Sequence, residues 1–386
     1  MGAENQRIKI IRSSTVPGSL GTFCRGLLRE LQQEEGYEVV ALSSPGKELR
    51  EIGEREGVRT VGVAMQRHIS PLKDLRSLWG LFRVFRREKP QMVHSMTPKA
   101  GLLCMMAAWM ARVPVRVHTF TGLVFPTATG LTRKILMLTD RVTCGCATHV
   151  VPEGEGVRND LSNFHITKKP LRVLGHGNVR GIDLRRFDPA DPDVRAEAGK
   201  LRKPELFTFI FIGRLVRDKG INELTDAFVR LNGEFPDTRL ILVGRAEPEL
   251  DPLLPETLAE IDGNPAIEAV GGQADVRPWL AASDALAFPS YREGFPNVVI
   301  EAGAMGLPSI VTDINGSREI IIEGRNGTII APRDAEALYR SMKEMLTHPE
   351  TRARMAAEAR PLIASRYEQG YVRRCLKEYY KEILGE

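Results

Sequence analysis

The chain has 386 residues, which is long enough for two domains because a single hydrophobic core seldom grows beyond about 250 to 300 residues. Hydrophobic residues make up 42% and charged residues 27%, a balance that excludes a disordered or low-complexity protein. The first 180 residues carry 27 Lys and Arg against 15 Asp and Glu, a net charge of +12, and the others carry 27 against 34, a net charge of −7. This asymmetry indicates that the first half meets an anionic partner, either nucleic acid, an acidic membrane surface or a phosphorylated substrate.

The sequence shows no sign of export or of a metal site. Its first residues lack the apolar core of a signal peptide, and no run of about 18 apolar residues follows. We therefore expect a cytoplasmic protein. Of five scattered cysteines only Cys144 and Cys146 are close together, and no second pair or histidine at ligand spacing accompanies them. The cysteines are therefore predicted to be reduced thiols that bind no metal.

Short strand patterns alternate with helical patterns along the first half. Strands are predicted at 8–11, near 40, and at 91–95, 113–120 and 148–152. Strands separated by helices form parallel βαβ units, and near-continuous apolar strands fit a sheet that is covered on both faces. The first half is therefore predicted to be an open α/β domain.

Residues 71–90 predict a basic amphipathic helix. Apolar residues recur at helical spacing, with Trp79 beside them: Leu75, Leu78, Phe82 and Phe85. Five basic residues surround this stripe: Arg76, Arg83, Arg86, Arg87 and Lys89. Such a helix can lie on an anionic membrane, or it can pack its stripe on the sheet and leave the arginines in water. Both hold if only the basic edge and Trp79 meet lipid.

A polar segment rich in Gly, Asp and Pro at 171–193 separates this half from a second alternating series. Strands are predicted there at 207–212, 239–244, 267–270, 285–289 and 308–312. We predict an N-terminal domain over 1–180, a linker over 181–205 and a C-terminal domain over 206–366. An amphipathic helix over 367–386 can pack on either domain, and so can cross back to the first.

Two segments of the second half carry residues suited to a nucleoside diphosphate. In FIFIGRLVRDKG, Gly213 ends a strand, and Arg214 and Lys219 place two cations where ligands bind in open α/β sheets. In REGFPNVVIE, Pro296 is predicted to open a helix whose N-terminus offers amides to an anion. Glu301 then lies one turn inside that helix, where it can accept hydrogen bonds from vicinal hydroxyls, and Glu293 precedes the helix. Taken alone, either segment could also be a solvent-exposed loop whose charged side chains bind no ligand.

The combination of GRLVRDKG with EGFPNVVIE, an E-x7-E spacing, resembles the nucleotide-sugar half of the family-four retaining glycosyltransferases. The likeness extends to SSTVPGSLGTF, HSMTPKAGLL and GNVRGIDLRRF. It implies the GT-B fold, two Rossmann-like doubly wound α/β domains facing across a cleft, with the acceptor in the first domain. It also implies transfer of a sugar from a nucleotide-diphosphate donor, with a UDP-sugar expected, in bacterial polysaccharide assembly.

The resemblance assigns roles to individual residues. Arg214 and Lys219 would neutralise the departing diphosphate, Glu301 would hold the ribose and Glu293 would contact the donor sugar. Further donor-binding residues are Gly213, Gly294, Phe295, Pro296, Asn297 and Val298, with Gly271 and Gln273 toward the base. In the first domain, Gly18 and Ser19, after Pro17, would approach the phosphates across the cleft.

One family feature is altered here. Where the family has a histidine in T-x-H-G, this sequence reads HTFTGLVF, so that Thr121 takes the histidine's place and His118 lies three residues earlier. His118 is predicted either to substitute in catalysis or to be a histidine satisfied inside its strand. His94 and Lys99 are predicted to touch an acceptor phosphate, with Thr121 also on the acceptor side.

The predicted chemistry is electrostatic and needs neither metal nor cofactor. Charge grows on the leaving diphosphate, where Arg214, Lys219 and the helix N-terminus stabilise it. The +12 half and the helix at 71–90 favour a lipid-pyrophosphate acceptor on the inner face of the cytoplasmic membrane. A glycosidase is disfavoured because one acid serves the ribose. A sugar-nucleotide 2-epimerase is the main alternative, and a nucleic-acid-binding protein is weaker because no recognised motif groups the basic residues.

Overall fold

The computed structural model describes residues 7–34, 36–66, 70–249 and 251–385. These residues form two compact units. The first comprises the described residues up to Gly181 together with those from Gly370 onward, and the second comprises Ile182–Gln369. No helix among these residues has both the length and the apolar character needed to cross a bilayer.

The first unit is built on a six-stranded parallel sheet. Its strands are β1 (Ile8–Ser13), β2 (Tyr37–Ser43), β3 (Arg59–Gly62), β4 (Met92–Met96), β5 (Val115–Phe120) and β6 (His149–Pro152). They lie in the order β3-β2-β1-β4-β5-β6, the order of a doubly wound dinucleotide-type sheet. The direction of winding reverses between β1 and β4. In such sheets the crevice at the carboxyl ends of these two strands is where ligands bind.

Helices cover both faces of this sheet. They are α1 (Pro17–Phe23), α2 (Leu27–Gln33), α3 (Lys47–Glu56), α4 (Pro71–Glu88), α5 (Pro98–Met110), α6 (Gly130–Cys146) and α7 (Glu155–Asn163). One face packs on α1, α2 and α3 through residues such as Ile10, and the other packs on α4, α5, α6 and α7 through residues such as Ile11. Adjacent strand residues point to opposite faces, so this burial on both sides explains the near-continuous apolar strands.

The second unit repeats the plan with a second parallel sheet. Its strands are β7 (Phe207–Ile212), β8 (Thr238–Val243), β9 (Ile267–Gly271), β10 (Ala285–Phe288), β11 (Ser309–Thr312) and β12 (Gly327–Ile330). Their order is β12-β11-β10-β7-β8-β9, which places the switch point between β7 and β10. The predicted fold class, two Rossmann-like doubly wound α/β domains, is confirmed.

The helices of the second unit enclose one continuous core, and a last helix ends the chain. They are α8 (Pro192–Leu201), α9 (Ile221–Glu234), α10 (Pro255–Gly263), α11 (Arg277–Ala281), α12 (Asn297–Ala304), α13 (Ser317–Ile320), α14 (Ala335–Thr347), α15 (Pro349–Tyr367) and α16 (Gln369–Leu384). From Gly370 onward α16 groups with the first unit, where Tyr380 is fully buried on the face that carries α1 to α3.

The segment predicted as a linker, 181–205, lies almost wholly within the second unit. Asp191 caps α8 there, because its carboxylate accepts hydrogen bonds from the amides of Asp193 at 2.9 Å and Val194 at 3.3 Å. The carboxylate of Asp191 also pairs with Arg277 at 3.3 Å. A segment whose composition is typical of a linker is therefore a capped helix packed on its own domain.

Candidate active site

The carboxyl ends of β7 and β8 approach each other closely enough to require glycine. The amide of Gly213 donates to the carbonyl of Val243 at 2.9 Å. A Cβ added at Gly244 would lie 1.6 Å from the carbonyl oxygen of Gly213. Because this distance is well inside van der Waals contact, the turn Gly213-Arg214 after β7 and the turn Gly244-Arg245 after β8 are packed directly on each other at one edge of the sheet.

A tight turn after β7 directs Lys219 toward the switch point. Residues Arg217–Lys219 form one turn of 3-10 helix that ends at Gly220, with a φ of +71°. A Cβ at Gly220 would lie 2.1 Å from the carbonyl oxygen of Pro289, the residue that follows β10. The turn after β7 and the loop after β10 are thus in backbone contact.

Lys219 and Glu293 are brought together by this contact. The Lys219 ammonium pairs with the Glu293 carboxylate, and the two side chains are 14% and 19% exposed. The hydroxyl of Ser290 donates to the same carboxylate oxygen at 3.1 Å. Lys219 Nζ also lies 6.0 Å from the centre of the Phe288 ring. Two residues that were predicted to serve different parts of one donor are therefore direct neighbours.

Arg214 is held at the same edge by another acid. Its guanidinium donates to the carboxylate of Glu247 at 2.8 Å, and the two side chains are 45% and 36% exposed. This hydrogen bond raises the pKa of Arg214, with smaller contributions from the charges of Asp218 and Glu293. The cation is partly exposed, so a diphosphate can reach it without a large desolvation cost.

The helix predicted to begin at Pro296 begins one residue later. Pro296 is the N-cap of α12, with a φ of −75°, and Asn297 is the first helical residue. The loop before it is fixed by packing, since a Cβ at Gly316 would lie 2.7 Å from both the carbonyl oxygen of Gly294 and Cα of Phe295. The Phe295 ring is buried and lies 5.5 Å from that of Tyr367. Asn297 and Val298, at the start of the helix, are only partly buried.

Glu301 lies one turn into α12 and is partly buried. At the end of β9, Gly271 has a φ of +68° and accepts a hydrogen bond from the amide of Gly244 at 2.9 Å. The side-chain amide of Gln273 donates to the carbonyl of Val270 at 2.7 Å. The donor-binding residues predicted in the second half thus lie at or beyond the ends of β7, β9 and β10, at the carboxyl edge of one sheet.

In the first unit, Gly18 and Ser19 form the first turn of α1, directly after β1 and beside the switch point. A Cβ at Gly18 would lie 3.1 Å from Oε1 of Glu48, so the turn packs closely on the start of α3. Gly18 and Ser19, which were predicted to approach the phosphates, therefore lie at the start of a helix that begins at Pro17.

His94 does not occupy the acceptor position predicted for it. Its ring is 1% exposed and lies between the side chains of Arg12, Tyr380 and Thr119. The Arg12 guanidinium only donates, so Nδ1 accepts and Nε2 donates to the Thr119 hydroxyl at 2.7 Å. Burial and the neighbouring Arg12 charge lower the pKa of His94 well below its ordinary value. Lys99 pairs with Asp74 at 2.6 Å.

His118 is likewise a buried residue. It is 1% exposed, and Nδ1 lies 2.9 Å from the Ser95 hydroxyl. A Cβ at Gly101 would lie 2.3 Å from Cε1 of the His118 ring, so α5 is packed directly on the ring. Burial lowers the pKa of His118 to about 3. The predicted alternative, a histidine satisfied inside its strand, describes this geometry, and the catalytic role predicted for His118 has no support from it.

The part of the chain that the structure describes holds no group of three or more His, Cys, Asp or Glu able to bind a metal ion. All five cysteines are free thiols. Two features of α6 were not predicted from the sequence. One is an exposed apolar row on α6, Leu131, Ile135 and Leu138. The other is the carboxyl of Asp140, on the opposite side of the same helix. Helical spacing from residue 131 to 138 was the signal available for the row.

Comparison with known proteins identifies the family. Residues 193–361 match the family described as Glycosyl transferases group 1, and residues 18–177 match the Glycosyl transferase 4-like domain. The two matches together span most of the chain, and they show that it is a glycosyltransferase. One match lies in each unit, and the resemblance inferred from GRLVRDKG and EGFPNVVIE is confirmed.

Two curated relatives of this glycosyltransferase are similar over most of their length. It is 28% identical to the capsular polysaccharide biosynthesis glycosyltransferase CapM of Staphylococcus aureus, over 98% of both chains. It is 27% identical to the UDP-Gal:alpha-D-GlcNAc-diphosphoundecaprenol alpha-1,3-galactosyltransferase of Escherichia coli, over 72% of this chain and 71% of the relative.

Solved structures share the fold at lower identity. Anabaena Alr3699/HepE, in complex with UDP, superposes with a TM-score of 0.80 at 18% identity, over 98% of this chain and 100% of that one. A UDP-N-acetylglucosamine 2-epimerase superposes with a TM-score of 0.66 at 18% identity, over 98% and 97%. The fold alone therefore does not separate a transferase from an epimerase, and the sequence matches do.

Proposed function

We propose that this glycosyltransferase moves a hexosyl or N-acetylhexosaminyl group from a UDP-sugar to a glycan carried on a lipid pyrophosphate, with retention of anomeric configuration, in cell-surface polysaccharide assembly. The observation that carries the proposal is the meeting of Lys219, Glu293 and the start of α12 at the switch point of the second sheet. The activity in the name of the Escherichia coli relative and the UDP bound to HepE support the choice of acceptor and donor.

The proposed mechanism follows from the charges at this edge. Breaking the bond between the anomeric carbon and the diphosphate places negative charge on the leaving group. Lys219 and Arg214, now paired with Glu293 and Glu247, exchange these carboxylates for phosphate oxygens. The first amides of α12 add a partial positive charge to the same region. Protein cations thereby supply the stabilisation for which other transferases use a metal, and no cofactor is proposed.

The two glutamates of the motif have separate tasks in this proposal. Glu301, one turn into α12, accepts hydrogen bonds from the ribose hydroxyls, while Gly271 and Gln273 lie toward the base. Glu293, released from Lys219 when the diphosphate binds, turns its carboxylate to the donor sugar. Retention then requires the acceptor hydroxyl to attack from the side of the leaving group, whose oxygen takes the proton.

The outer surface of the first unit is proposed to meet an anionic membrane. On α4, Leu81 and Phe85 are buried in the core, while Leu72, Leu75 and Trp79 are 86%, 65% and 57% exposed. Leu75 therefore belongs to the outer face and not to the buried stripe in which its spacing had placed it. Exposed arginines flank this face: Arg76, Arg83, Arg86 and Arg87. The exposed row of α6 lies on the same side of the sheet. Apolar side chains with arginines between them suit an anionic bilayer surface.

The transfer assay combines labelled nucleotide-sugars with a polyprenyl-pyrophosphate glycan in detergent. The proposal predicts a longer glycolipid and free UDP, with the new linkage keeping the donor's configuration in an NMR spectrum. The Glu293→Gln variant serves as the control and is expected to be slower at equal folded concentration. Release of a free sugar epimer without acceptor would indicate the 2-epimerase instead. Salt-sensitive binding to nucleic acid, with no turnover of any nucleotide-sugar, would refute both enzymes.

A further inference from the structure

A small cavity lies at the carboxyl ends of β4 and β5 in the first unit. Its volume is about 30 Å³, and α6 covers it. The lining comes from the residues that follow β4, from the end of β5 with the loop after it, and from α6: Thr97, Pro98, His118 to Val124, Leu136, Thr139 and Asp140. Such a volume holds one water molecule or one hydroxyl group, and it is too small for a sugar ring.

Asp140 brings an unpartnered carboxyl to this cavity. Neither a hydrogen bond nor an ion pair joins it to any other residue that the structure describes. Three of the polar side chains around it are already engaged. Thr139 donates to the carbonyl of Leu136 at 2.8 Å, Thr97 lies 2.8 Å from the Thr15 hydroxyl, and His118 is bonded to Ser95. A partly buried carboxyl without a donor is costly to the fold, and burial raises the pKa of Asp140 to about 7.

The chemistry of the cavity selects its ligand. When it is ionised, the Asp140 carboxylate only accepts hydrogen bonds, so a ligand that binds it has to bring a donor. A phosphate group would be repelled by the carboxylate, and a metal ion would find no set of three ligands among the described residues. A neutral hydroxyl on a larger molecule fits both the size and the hydrogen-bonding demand. Thr121, already predicted on the acceptor side, lines the same cavity.

We propose that Asp140 accepts a hydrogen bond from one hydroxyl group of the acceptor sugar, which enters this cavity while the ring stays at its mouth. This assignment rests on the proposed glycosyltransferase function. It makes Asp140 a specificity-determining residue, because an acceptor that lacks the hydroxyl, or carries a bulky group in its place, leaves the carboxyl without a donor.

The test measures acceptor and donor kinetics separately in Asp140→Ala and Asp140→Asn. Asp140→Ala is expected to raise the acceptor KM by roughly 10- to 100-fold, the loss typical of one hydrogen bond to a charged group. Asp140→Asn keeps an acceptor oxygen and is expected to show a smaller rise. The donor KM and the slow hydrolysis of the donor without acceptor should stay within twofold in both variants. Thr132→Ala, on the exposed side of α6, is the matched control and should change neither KM.

A series of monodeoxy acceptors identifies the hydroxyl. For one deoxy acceptor, the KM of the wild-type enzyme should be as high as the KM of Asp140→Ala for the parent acceptor. Asp140→Ala should have the same KM for this deoxy acceptor as for the parent acceptor. An unchanged acceptor KM in folded Asp140→Ala, or an equal loss of donor hydrolysis, would overturn the assignment. A wild-type enzyme that neither transfers nor hydrolyses any nucleotide-sugar would refute the proposed function itself.

Discussion

The ammonium of Lys219 contacts the carboxylate of Glu293, and both side chains are more than four-fifths shielded from solvent. The pair joins the turn after β7 to the loop before α12, so it links the cation and the acid on which the proposed mechanism depends. In the resting enzyme each charge neutralises the other. In the proposed mechanism, a diphosphate that binds Lys219 also frees Glu293 to contact the sugar, so that donor binding releases the acid from its ion pair.

Removing both members of this pair should cost less than the sum of the two single losses. Lys219→Met and Glu293→Gln each remove one charge and leave the other charge unpaired at a largely shielded site. Each is therefore expected to lower the free energy of unfolding by about 1 to 3 kcal/mol. The double variant should lose less than the sum, with a coupling of about 0.5 to 3 kcal/mol. Urea unfolding of the four proteins measures this coupling. Additive losses would mean that the contact contributes nothing. Lys219→Met should also lower kcat by about 100- to 1,000-fold.

The backbone at Gly220 should tolerate no side chain. Gly220→Ala adds a Cβ that would lie 2.1 Å from the carbonyl oxygen of Pro289, at a φ of +71°. We expect a loss of about 2 to 4 kcal/mol in the free energy of unfolding, together with weaker nucleotide binding. Gly233→Ala is the matched control, because nothing lies within 4 Å of its Cβ inside α9. It should stabilise the protein by about 0.5 to 1 kcal/mol. Equal effects at both sites would contradict the backbone contact.

The outer face of α4 should bind anionic vesicles. The double variant Leu75→Ala, Trp79→Ala removes two exposed apolar side chains, and it is expected to weaken sedimentation with phosphatidylglycerol vesicles at least tenfold. Leu258→Ala, at a side chain of the second unit that is 45% exposed, is the control and should bind as the wild type does. Binding should also weaken as salt is raised from 0.1 to 0.5 M, because the arginines are screened. Failure of the wild-type protein to sediment with anionic vesicles would refute the membrane proposal.

Asp140 should make the stability depend on pH with a defined sign. Burial raises its pKa from 3.8 to about 7, so between these values the folded protein keeps a proton that the unfolded chain releases. The free energy of unfolding therefore falls as pH rises from about 4 to about 7, by up to about 4 kcal/mol from this group. Asp140→Asn removes the effect, and it should raise the melting temperature at pH 8 while changing little at pH 4. An equal change in melting temperature at pH 8 and pH 4 would contradict a raised pKa of Asp140.

Most strands and the two α/β domains could be predicted from the local sequence pattern, because buried parallel strands are apolar runs of recognisable length. The exceptions have physical causes. β3 has the sequence RTVG and β12 has GTII, two strands of four residues at the sheet edges, which are too short and too polar or glycine-containing to stand out. The helix α8 was hidden in a segment of Pro and Asp that reads as a linker, since capping residues and turn residues are the same residues.

The position of a candidate residue was predictable where backbone geometry decides it and unpredictable where packing does. Gly213, Lys219, Glu293 and Glu301 follow strands of one sheet, and their spacing along the chain is enough to place them at one edge. The two histidines also lie near the carboxyl ends of their strands, yet their orientation depends on distant partners. His94 is bonded to Tyr380, which is 286 residues away, and His118 lies under Gly101 of the preceding helix. No local pattern carries that information.

The central claim is that the second unit binds a nucleoside diphosphate with Glu301 on the ribose. Calorimetric titration of UDP into the wild type and Glu301→Ala tests it most directly, with 2′,3′-dideoxy-UDP as the matched ligand. We expect Glu301→Ala to weaken UDP binding by at least tenfold, and the wild type to bind the dideoxy ligand about as poorly as the variant binds UDP. Equal UDP affinities of the two proteins would contradict a contact between Glu301 and the ribose. Absence of UDP binding to the wild type at millimolar concentration would contradict a nucleotide site in the second unit.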